Sequence, residues 1–311
     1  MKILSLQQLN TGTAEKTSEF VEESEARYRG EIKAAEEYIL SRDSTMPIIL
    51  ISGPSGSAKT TTALRLASLL EKEGVGVHTI SMDNYFRPID DPENEVDEDG
   101  RIDLESPKRL DMKLLNKHLE MLWNCKEIEI PTFDFSTQTR KPGKRLARKK
   151  GELVIMEGIH ALNPEITGNI GDHAVTIYVS VRTRLENGEG ELLHPSKIRL
   201  MRRIVRDGLF RGRDIANTLD FFKWVERGEQ RFIMPYKGKA MFDIDTFIGY
   251  EAAAYRDYVL PRLEGVRDSY PEYDRYADLE KFLREISPIR QEAIPSDSLV
   301  REFIGGSHYS Y

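Results

Sequence analysis

The sequence predicts an α/β fold, a parallel sheet flanked by helices, and two observations lead to this prediction. The stretch Ile48 to Leu64, IILISGPSGSAKTTTAL, joins an apolar run to a glycine-rich turn and a helical pattern. Further short apolar runs alternate with helical patterns, at Val77 to Met82, Leu153 to Met156 and Val175 to Val181. Such alternation is typical of a parallel sheet, here of about five strands.

The amino-acid composition and net charge limit the kinds of molecule that the protein is expected to bind. The chain has 311 residues, 39% of them hydrophobic, and a net charge of −7. An acidic protein favours neither nucleic acid nor a membrane surface as partner. The single cysteine, Cys125, fits a reducing compartment, and the sequence shows neither a signal-peptide core nor a membrane span. We therefore expect a cytoplasmic protein with a substantial hydrophobic core. The sequence leaves open whether the protein forms a homo-oligomer.

The glycine-rich turn is predicted to bind nucleotide phosphates. Its backbone N–H groups can point inward at an anion, and the following helix N-terminus adds partial positive charge. Lys59 would reach the β- and γ-phosphates of ATP, and the Thr60 hydroxyl would hold Mg²⁺. The predicted ATP-binding residues of this turn are Gly53, Pro54, Ser55, Gly56, Ser57, Ala58, Lys59, Thr60 and Thr61.

Ala58 departs from the usual pattern Gly-x-x-x-x-Gly-Lys-Ser/Thr, because it replaces the second glycine. If this position needs a positive φ, the Cβ costs about 1 kcal/mol. The alternative is an ordinary glycine-rich turn between a strand and a helix. The strong preceding strand and the Lys-Thr-Thr sequence favour the nucleotide site.

Two carboxylates follow predicted strands. Asp83 comes directly after the run Val77 to Met82, at the edge of the sheet where ligands bind in open α/β folds. Glu157 ends the run Leu153 to Met156, as a magnesium-binding acid does, although a strand-capping acid is the alternative. The predicted metal ligands are therefore Thr60 and Glu157.

A basic helical stretch follows from Lys197 to Arg213. At helical spacing Arg199, Arg203 and Arg206 share one face, which favours phosphate binding over a plain solvated surface. Gly208 and Gly212 flank these arginines and predict a lid that closes over the nucleotide.

The flanking segments read as additions to a central domain. We expect a helical N-terminal arm at 1–45, the central domain at 46–263 and a C-terminal helical extension at 264–311. In the middle of the chain, Asp111 to Asn124 predicts a helix, and Ile128 to Phe135 a ribbon that Pro131 keeps out of the central sheet.

Five motifs in this order resemble those of the uridine kinase and phosphoribulokinase family: GPSGSAKTT, SMDNYF, PTFDFSTQTRK, MEGIHALN and RRIVRDGLFRGRD. The resemblance runs from about Pro47 to Leu263 and is closest to the bacterial uridine kinase-like branch that often follows a TGS domain. The ending REFIGGS at Arg301 to Ser307 is similar too, whereas the TGS region has no counterpart in this sequence. The resemblance implies a P-loop NTPase kinase fold, ATP and Mg²⁺, and γ-phosphate transfer to a small-molecule hydroxyl, above all the 5′-hydroxyl of a nucleoside.

The same resemblance implies roles for single residues. Asp83 would be the catalytic carboxylate, assisted by Lys59 and Arg206, and Arg206 and Arg211 would contact ATP. Glu105, or alternatively Asp103, would hold the ribose hydroxyls. The implied substrate contacts are Asp83, Tyr85, Asp103, Glu105, Phe133, Gln138, Arg203 and Arg213.

The departures from the family pattern concern the acceptor. Pyrimidine-specific uridine kinases carry Tyr and His where this chain has Phe133 and Gln138, so its base preference need not be theirs. One alternative is a kinase for a sugar phosphate or a polyol. Another is an ATP-binding regulatory protein with weak catalysis, which Ala58 favours and Asp83 opposes.

Overall fold

The computed structural model describes residues 2–42, 46–96 and 100–310. Its strands are β1 Ile3–Ser5, β2 Ile48–Ser52, β3 Val77–Ser81, β4 Ile128–Glu129, β5 Thr132–Asp134, β6 Thr139–Lys141, β7 Arg145–Leu146, β8 Leu153–Glu157, β9 Val175–Ser180, β10 Arg184–Glu186, β11 Leu192–Leu193 and β12 Phe242–Asp245. Its α-helices are α1 Leu6–Glu15, α2 Thr17–Ser41, α3 Lys59–Lys72, α4 Met112–Trp123, α5 Pro164–Thr167, α6 Pro195–Phe210, α7 Ile215–Gly228, α8 Glu251–Val266, α9 Ala277–Glu285 and α10 Arg301–Ile304.

The central element is a five-stranded parallel sheet in the order β12-β9-β2-β8-β3, which confirms the predicted fold class. Every residue of β2 and of β9 is buried. Helices cover both faces of such a sheet, so its inner strands are continuous apolar runs. Because β2, β3 and β8 are parallel neighbours, the loops that follow them meet at one edge.

Two antiparallel ribbons lie outside this sheet. β4 pairs with β7, and β5 pairs with β6. The predicted ribbon at Ile128 to Phe135 therefore contributes to both, and Pro131 lies between its two strands. The predicted helix in this part of the chain is α4, whose N-terminus Asp111 caps by accepting from the Leu114 N–H at 3.1 Å.

The N-terminal arm is helical, as predicted, but it consists of two helices that meet at Lys16. The predicted apolar face of α2 is buried from Val21 through Tyr28 to Ile39. A strand that the sequence did not predict, β1, pairs in parallel with β10. The arm ends at residues 43–45, which lie outside the described residues.

The C-terminal extension packs into the same apolar core as the arm and the sheet. Tyr28, Ile51, Tyr255 and Phe303 belong to one cluster and are each less than 1% exposed. The division of the chain after residues 45 and 263 stays a prediction. Within the described ranges, no helix combines the length and the apolar character needed to cross a membrane.

The predicted lid is a pair of helices, α6 and α7, joined by the turn that contains Gly212, whose φ is +60°. The prediction that Gly208 gives this lid its mobility is wrong. Gly208 lies inside α6, where a Cβ would come within 2.2 Å of the Tyr258 hydroxyl. It allows close packing of α6 on α8 and does not mark a hinge.

Candidate active site

The phosphate loop runs from Gly53 to Ala58 and connects β2 to α3. A Cβ on Gly53 would lie 2.1 Å from the carbonyl oxygen of Val179 in the neighbouring strand, so no larger residue fits there. Gly56 has a φ of +77°, a conformation that glycine adopts without strain. The loop therefore takes the shape that the glycine spacing predicts.

Ala58 occupies the position immediately before α3 in the left-handed region, with φ +63° and ψ +38°. The Thr62 N–H donates to its carbonyl at 3.0 Å, which fixes the first turn of the helix. The condition stated for Ala58 is thus met: this backbone has a positive φ and carries a Cβ, a conformation that costs an alanine about 1 kcal/mol.

Helix α6 supports the phosphate loop through arginines. Arg199 donates to the Ser55 carbonyl at 3.1 Å, and Arg203 donates to the Ser55 hydroxyl at 2.6 Å. Arg202 donates to the Gly56 carbonyl at 2.9 Å and forms a bidentate, fully buried ion pair with Glu251. Sequence analysis missed Arg202 because it lies off the predicted face, between the arginines that were singled out.

A buried carboxylate, Asp207, organises the remaining arginines. Arg211 and Arg213 approach it at 3.3 and 3.2 Å, and Arg203 at 3.5 Å. Asp207 is fully buried, so these contacts hold three cations in a fixed arrangement. Its spacing of four residues from both Arg203 and Arg211 is a signal that sequence analysis could have used.

The two predicted strand-end acids come together with the phosphate loop. Ser81 pairs with Glu157 across β3 and β8, and Asp83 follows within the turn after β3. The Thr60 hydroxyl donates to Glu157 Oε1 at 3.3 Å. A hydroxyl and a carboxylate oxygen therefore converge where the helix α3 begins.

Burial controls the charge of these acids. It raises the pKa of Asp83, while Lys59, Arg211 and Arg206 oppose the rise. It raises the pKa of Glu157 to about 7, and the neighbouring charge of Asp83 adds to this increase. Two carboxylates in one buried site disfavour each other's ionisation, and a cation placed between them would relieve that repulsion.

A third carboxylate, Glu105, lies in the same cavity. Its side chain is buried, and Oε2 accepts no hydrogen bond from any described residue. Burial raises its pKa to about 7, against the opposing effect of Arg203. Its position depends on Gly228 at the end of α7, because a Cβ there would come within 2.3 Å of the Glu105 Cβ.

Three phenylalanines form an aromatic surface beside Asp83. Phe86, Phe133 and Phe135 contact one another edge to face, with ring centroids 5.2 to 6.2 Å apart. Gln138 adjoins them, with φ +55° and its side-chain amide donating to the Phe135 carbonyl at 2.9 Å. Of the phenylalanines, the sequence had singled out Phe133 alone. The others escaped notice because no periodicity marks them.

These groups line one open cavity of about 500 Å³. The predicted site residues that line it are Ser55, Gly56, Ala58, Lys59, Thr60, Asp83, Glu105, Phe133, Gln138, Glu157, Arg203, Arg206, Arg211 and Arg213. Further lining residues that were not predicted include Phe86, Phe135, Arg109, Phe221 and Glu302. After the roles predicted for these residues, we call the part of the cavity at Lys59 the phosphate end and the part at Phe133 the acceptor end.

Pro54 and Ser57 of the phosphate loop do not line the cavity, and outside this loop three predicted side chains lie elsewhere. The Tyr85 hydroxyl is buried against His118 Nδ1 at 3.0 Å, because this side chain belongs to the core under α4. Asp103 points away from the cavity, 3.9 Å from Arg231, so of the two alternatives for the acidic position only Glu105 lines it. The Thr61 side chain is buried outside the cavity, and its hydroxyl donates to Glu302.

A glycine-rich phosphate loop with its lysine, an acid beyond a neighbouring strand and an arginine-bearing helix together define a P-loop phosphotransferase. The model of the Phosphoribulokinase / Uridine kinase family matches residues 48–247. The chain belongs to this family, whose members are ATP-dependent kinases that phosphorylate an alcohol group.

Two similar proteins are named uridine kinases. A uridine kinase of Macrococcus caseolyticus is 33% identical over 191 residues, which cover 61% of this chain and 83% of that protein. A uridine kinase of Lactobacillus helveticus is 29% identical over 222 residues, covering 71% of this chain and 95% of that protein. A solved structure from Bacillus stearothermophilus, described as a possible uridine kinase, is 17% identical with a TM-score of 0.42 and covers 70% of this chain and 98% of its own.

Proposed function

We propose that the protein transfers the γ-phosphate of ATP to the 5′-hydroxyl of a nucleoside, in a reaction that requires Mg²⁺. One observation supports this most: a single cavity joins the phosphate loop and Asp83 to the aromatic surface and the buried Glu105. An aromatic surface offers a stacking face for a base, and a carboxylate accepts hydrogen bonds from a ribose diol.

The residues of the phosphate end would act by position and charge. Lys59 and the backbone N–H groups of the loop hold the β- and γ-phosphates, and Arg206 and Arg211 meet the charge that develops on the transferred group. Asp83 orients the acceptor hydroxyl and takes its proton. Because burial raises the pKa of Asp83, it is a better proton acceptor than an exposed aspartate.

Thr60 and Glu157 have the chemistry of magnesium ligands. Both present hard oxygen atoms, 3.3 Å apart, next to the phosphate loop. Within the described ranges, no group of three or more His, Cys, Asp or Glu side chains is placed to hold a metal, so nucleotide oxygens and water would complete the coordination. Bound Mg²⁺ would neutralise phosphate charge, and Glu157 would hold it directly or through water.

A different acceptor is the second candidate. Arg203 and Arg213 line the cavity and contact the ring of Phe221, and a pair of cations there suits an acceptor that already carries a phosphate. A sugar phosphate would satisfy these arginines. It would not use the phenylalanine surface, which is why we favour a nucleoside.

An acceptor panel tests the proposal. The purified protein, with MgATP, is incubated with ribonucleosides, sugar phosphates and polyols, and ADP release is measured together with the mass of the product. We expect turnover with uridine or cytidine and a product that carries a 5′-phosphate. Turnover confined to sugar phosphates would contradict the nucleoside proposal and support the second candidate.

A further inference from the structure

The C-terminal segment Ile294–Ile304 reaches the phosphate end of the cavity, although it lies beyond the residues that match the family model. It ends in the short helix α10, and its residue Glu302 lines the cavity together with Lys59 and Thr60. Glu302 is more than 200 residues from the phosphate loop in sequence, and it belongs to none of the family motifs. It nevertheless forms part of the wall of this site.

The segment is anchored to both helices that carry phosphate-site residues. Arg65 of α3 donates to the Asp297 carbonyl and carboxylate, each at 2.9 Å. Phe303 is fully buried, with the guanidinium of Arg202 in α6 5.3 Å from its ring centroid. The Ser298 hydroxyl lies 2.9 Å from the Tyr250 hydroxyl in the core. These contacts hold Glu302 at the cavity wall.

The carboxylate of Glu302 is held by a buried hydroxyl and lies beside a cation of the phosphate end. Its Oε2 accepts a hydrogen bond from the Thr61 hydroxyl, and its Oε1 lies 3.8 Å from Arg206 Nη1. Its side chain is 9% exposed. Thr61 lies in the first turn of α3, where the helix dipole attracts anions, so this helix N-terminus stabilises the negative charge of Glu302.

We propose that Glu302 is an internal competitor for the phosphate groups of the nucleotide: its charge lies beside Arg206, which the phosphates would otherwise contact without a rival anion. The proposal rests on the ATP-dependent reaction proposed above. Two anions that approach one guanidinium repel each other, and a nearly buried pair of charges is poorly screened by salt. The C-terminal segment thus lowers nucleotide affinity.

Calorimetric titration of Glu302→Gln tests this directly, because glutamine keeps the shape and the hydrogen bond to Thr61 but loses the charge. The ligands are MgATP, magnesium tripolyphosphate and adenosine. We expect Kd to fall by roughly 5-fold or more for both phosphate ligands and to stay unchanged for adenosine. The matched control is Glu292→Gln, at an exposed position just before this segment and outside the cavity, which should leave all three values unchanged.

Other results would overturn the proposal. If wild type binds MgATP but Glu302→Gln binds tripolyphosphate equally or more weakly, Glu302 does not compete with phosphate. A loss confined to MgATP and adenosine would instead make Glu302 a contact for the nucleoside part of ATP. Glu302→Ala repeats the measurement if the glutamine variant proves unstable on thermal unfolding. A wild-type protein that binds neither phosphate ligand would contradict the proposed function itself.

Discussion

The two ends of the cavity are constructed in different ways. The phosphate end is built around one continuous stretch, residues 53–60, which helix α6 supports and to which other segments add Asp83 and Glu302. The acceptor end is assembled from separate segments that contribute Phe86, Glu105, Phe133 and, as a spacer, Gly228. Under the proposed function, backbone conformation would determine the type of reaction, while long-range packing would determine the acceptor. Removal of Lys59 or Asp83 should therefore reduce turnover, whereas variants at the acceptor end should change the acceptor KM.

The largest effects should come from the phosphate end. Asp83→Asn keeps the shape of the side chain but removes the proton acceptor, so kcat should fall by roughly 100-fold or more while ATP binding survives.

Lys59→Ala should abolish detectable turnover, because the transferred phosphate loses its fixed counter-charge. Steady-state rates and ATP titrations measure both. Near wild-type rates in Lys59→Ala would contradict the assignment of this end of the cavity to phosphate binding.

Gly228→Ala should affect the acceptor end alone. The new Cβ would displace Glu105, so the acceptor KM should rise by roughly 10- to 100-fold, equivalent to the loss of hydrogen bonds worth about 1–3 kcal/mol. The KM for ATP should not change. Gly265→Ala is the control, because that helical glycine is exposed and a Cβ there meets nothing within 4 Å. Equal acceptor KM values in both variants would break the distinction between the two ends.

The stability of the ligand-free protein should depend on the charge of Glu105. Burial raises its pKa from an ordinary 4.5 to about 7. The folded state therefore holds the proton more tightly, and the stability that this contributes is complete below about pH 4.5 and is lost as the pH rises through about 7. Glu105→Gln stays neutral, so its free energy of unfolding should exceed that of wild type increasingly over this range, by at most about 3 kcal/mol.

Urea unfolding at pH 5 and pH 8 measures this difference. Glu15→Gln, at an exposed position in α1, is the control and should show the same difference from wild type at both pH values. If Glu105→Gln behaved like this control, the Glu105 carboxyl would be solvated, and the acceptor end would lose its buried acid.

The smallest effect should come from Ala58→Gly. Relief of the positive φ should stabilise the loop by no more than about 1 kcal/mol, partly offset by the greater freedom of glycine in the unfolded chain. We expect kcat/KM for ATP to be unchanged or slightly higher. A large loss of ATP affinity would show that the alanine contributes to the loop and does not strain it.

The sequence predicted the local structure around the phosphate loop well because its signals are local. The strand, the glycine turn and the helix at Ile48 to Leu64 are contiguous, and Asp83 and Glu157 each end an apolar run. Parallel strands bring those ends to one edge of the sheet, so their meeting could be predicted without knowing the strand order.

The rest could not be predicted, because it depends on contacts between distant residues. Glu302 meets Thr61 across 241 positions, and Gly228 limits the space around Glu105 from a different helix. The strand β1 has only 3 residues, too few for a detectable periodicity. The family resemblance implied Tyr85 as a substrate contact, yet its side chain points into the core.

The discrimination between uridine and 2′-deoxyuridine tests the central claim most directly. We predict that wild type prefers uridine in kcat/KM by roughly 10-fold or more, since Glu105 would lose a hydrogen-bond partner in the deoxy compound. In Glu105→Ala this preference should fall to about one, while uridine and cytidine should differ less than this in both proteins. Wild type that treats the two sugars equally but separates the bases strongly would contradict the assignment of the acceptor end.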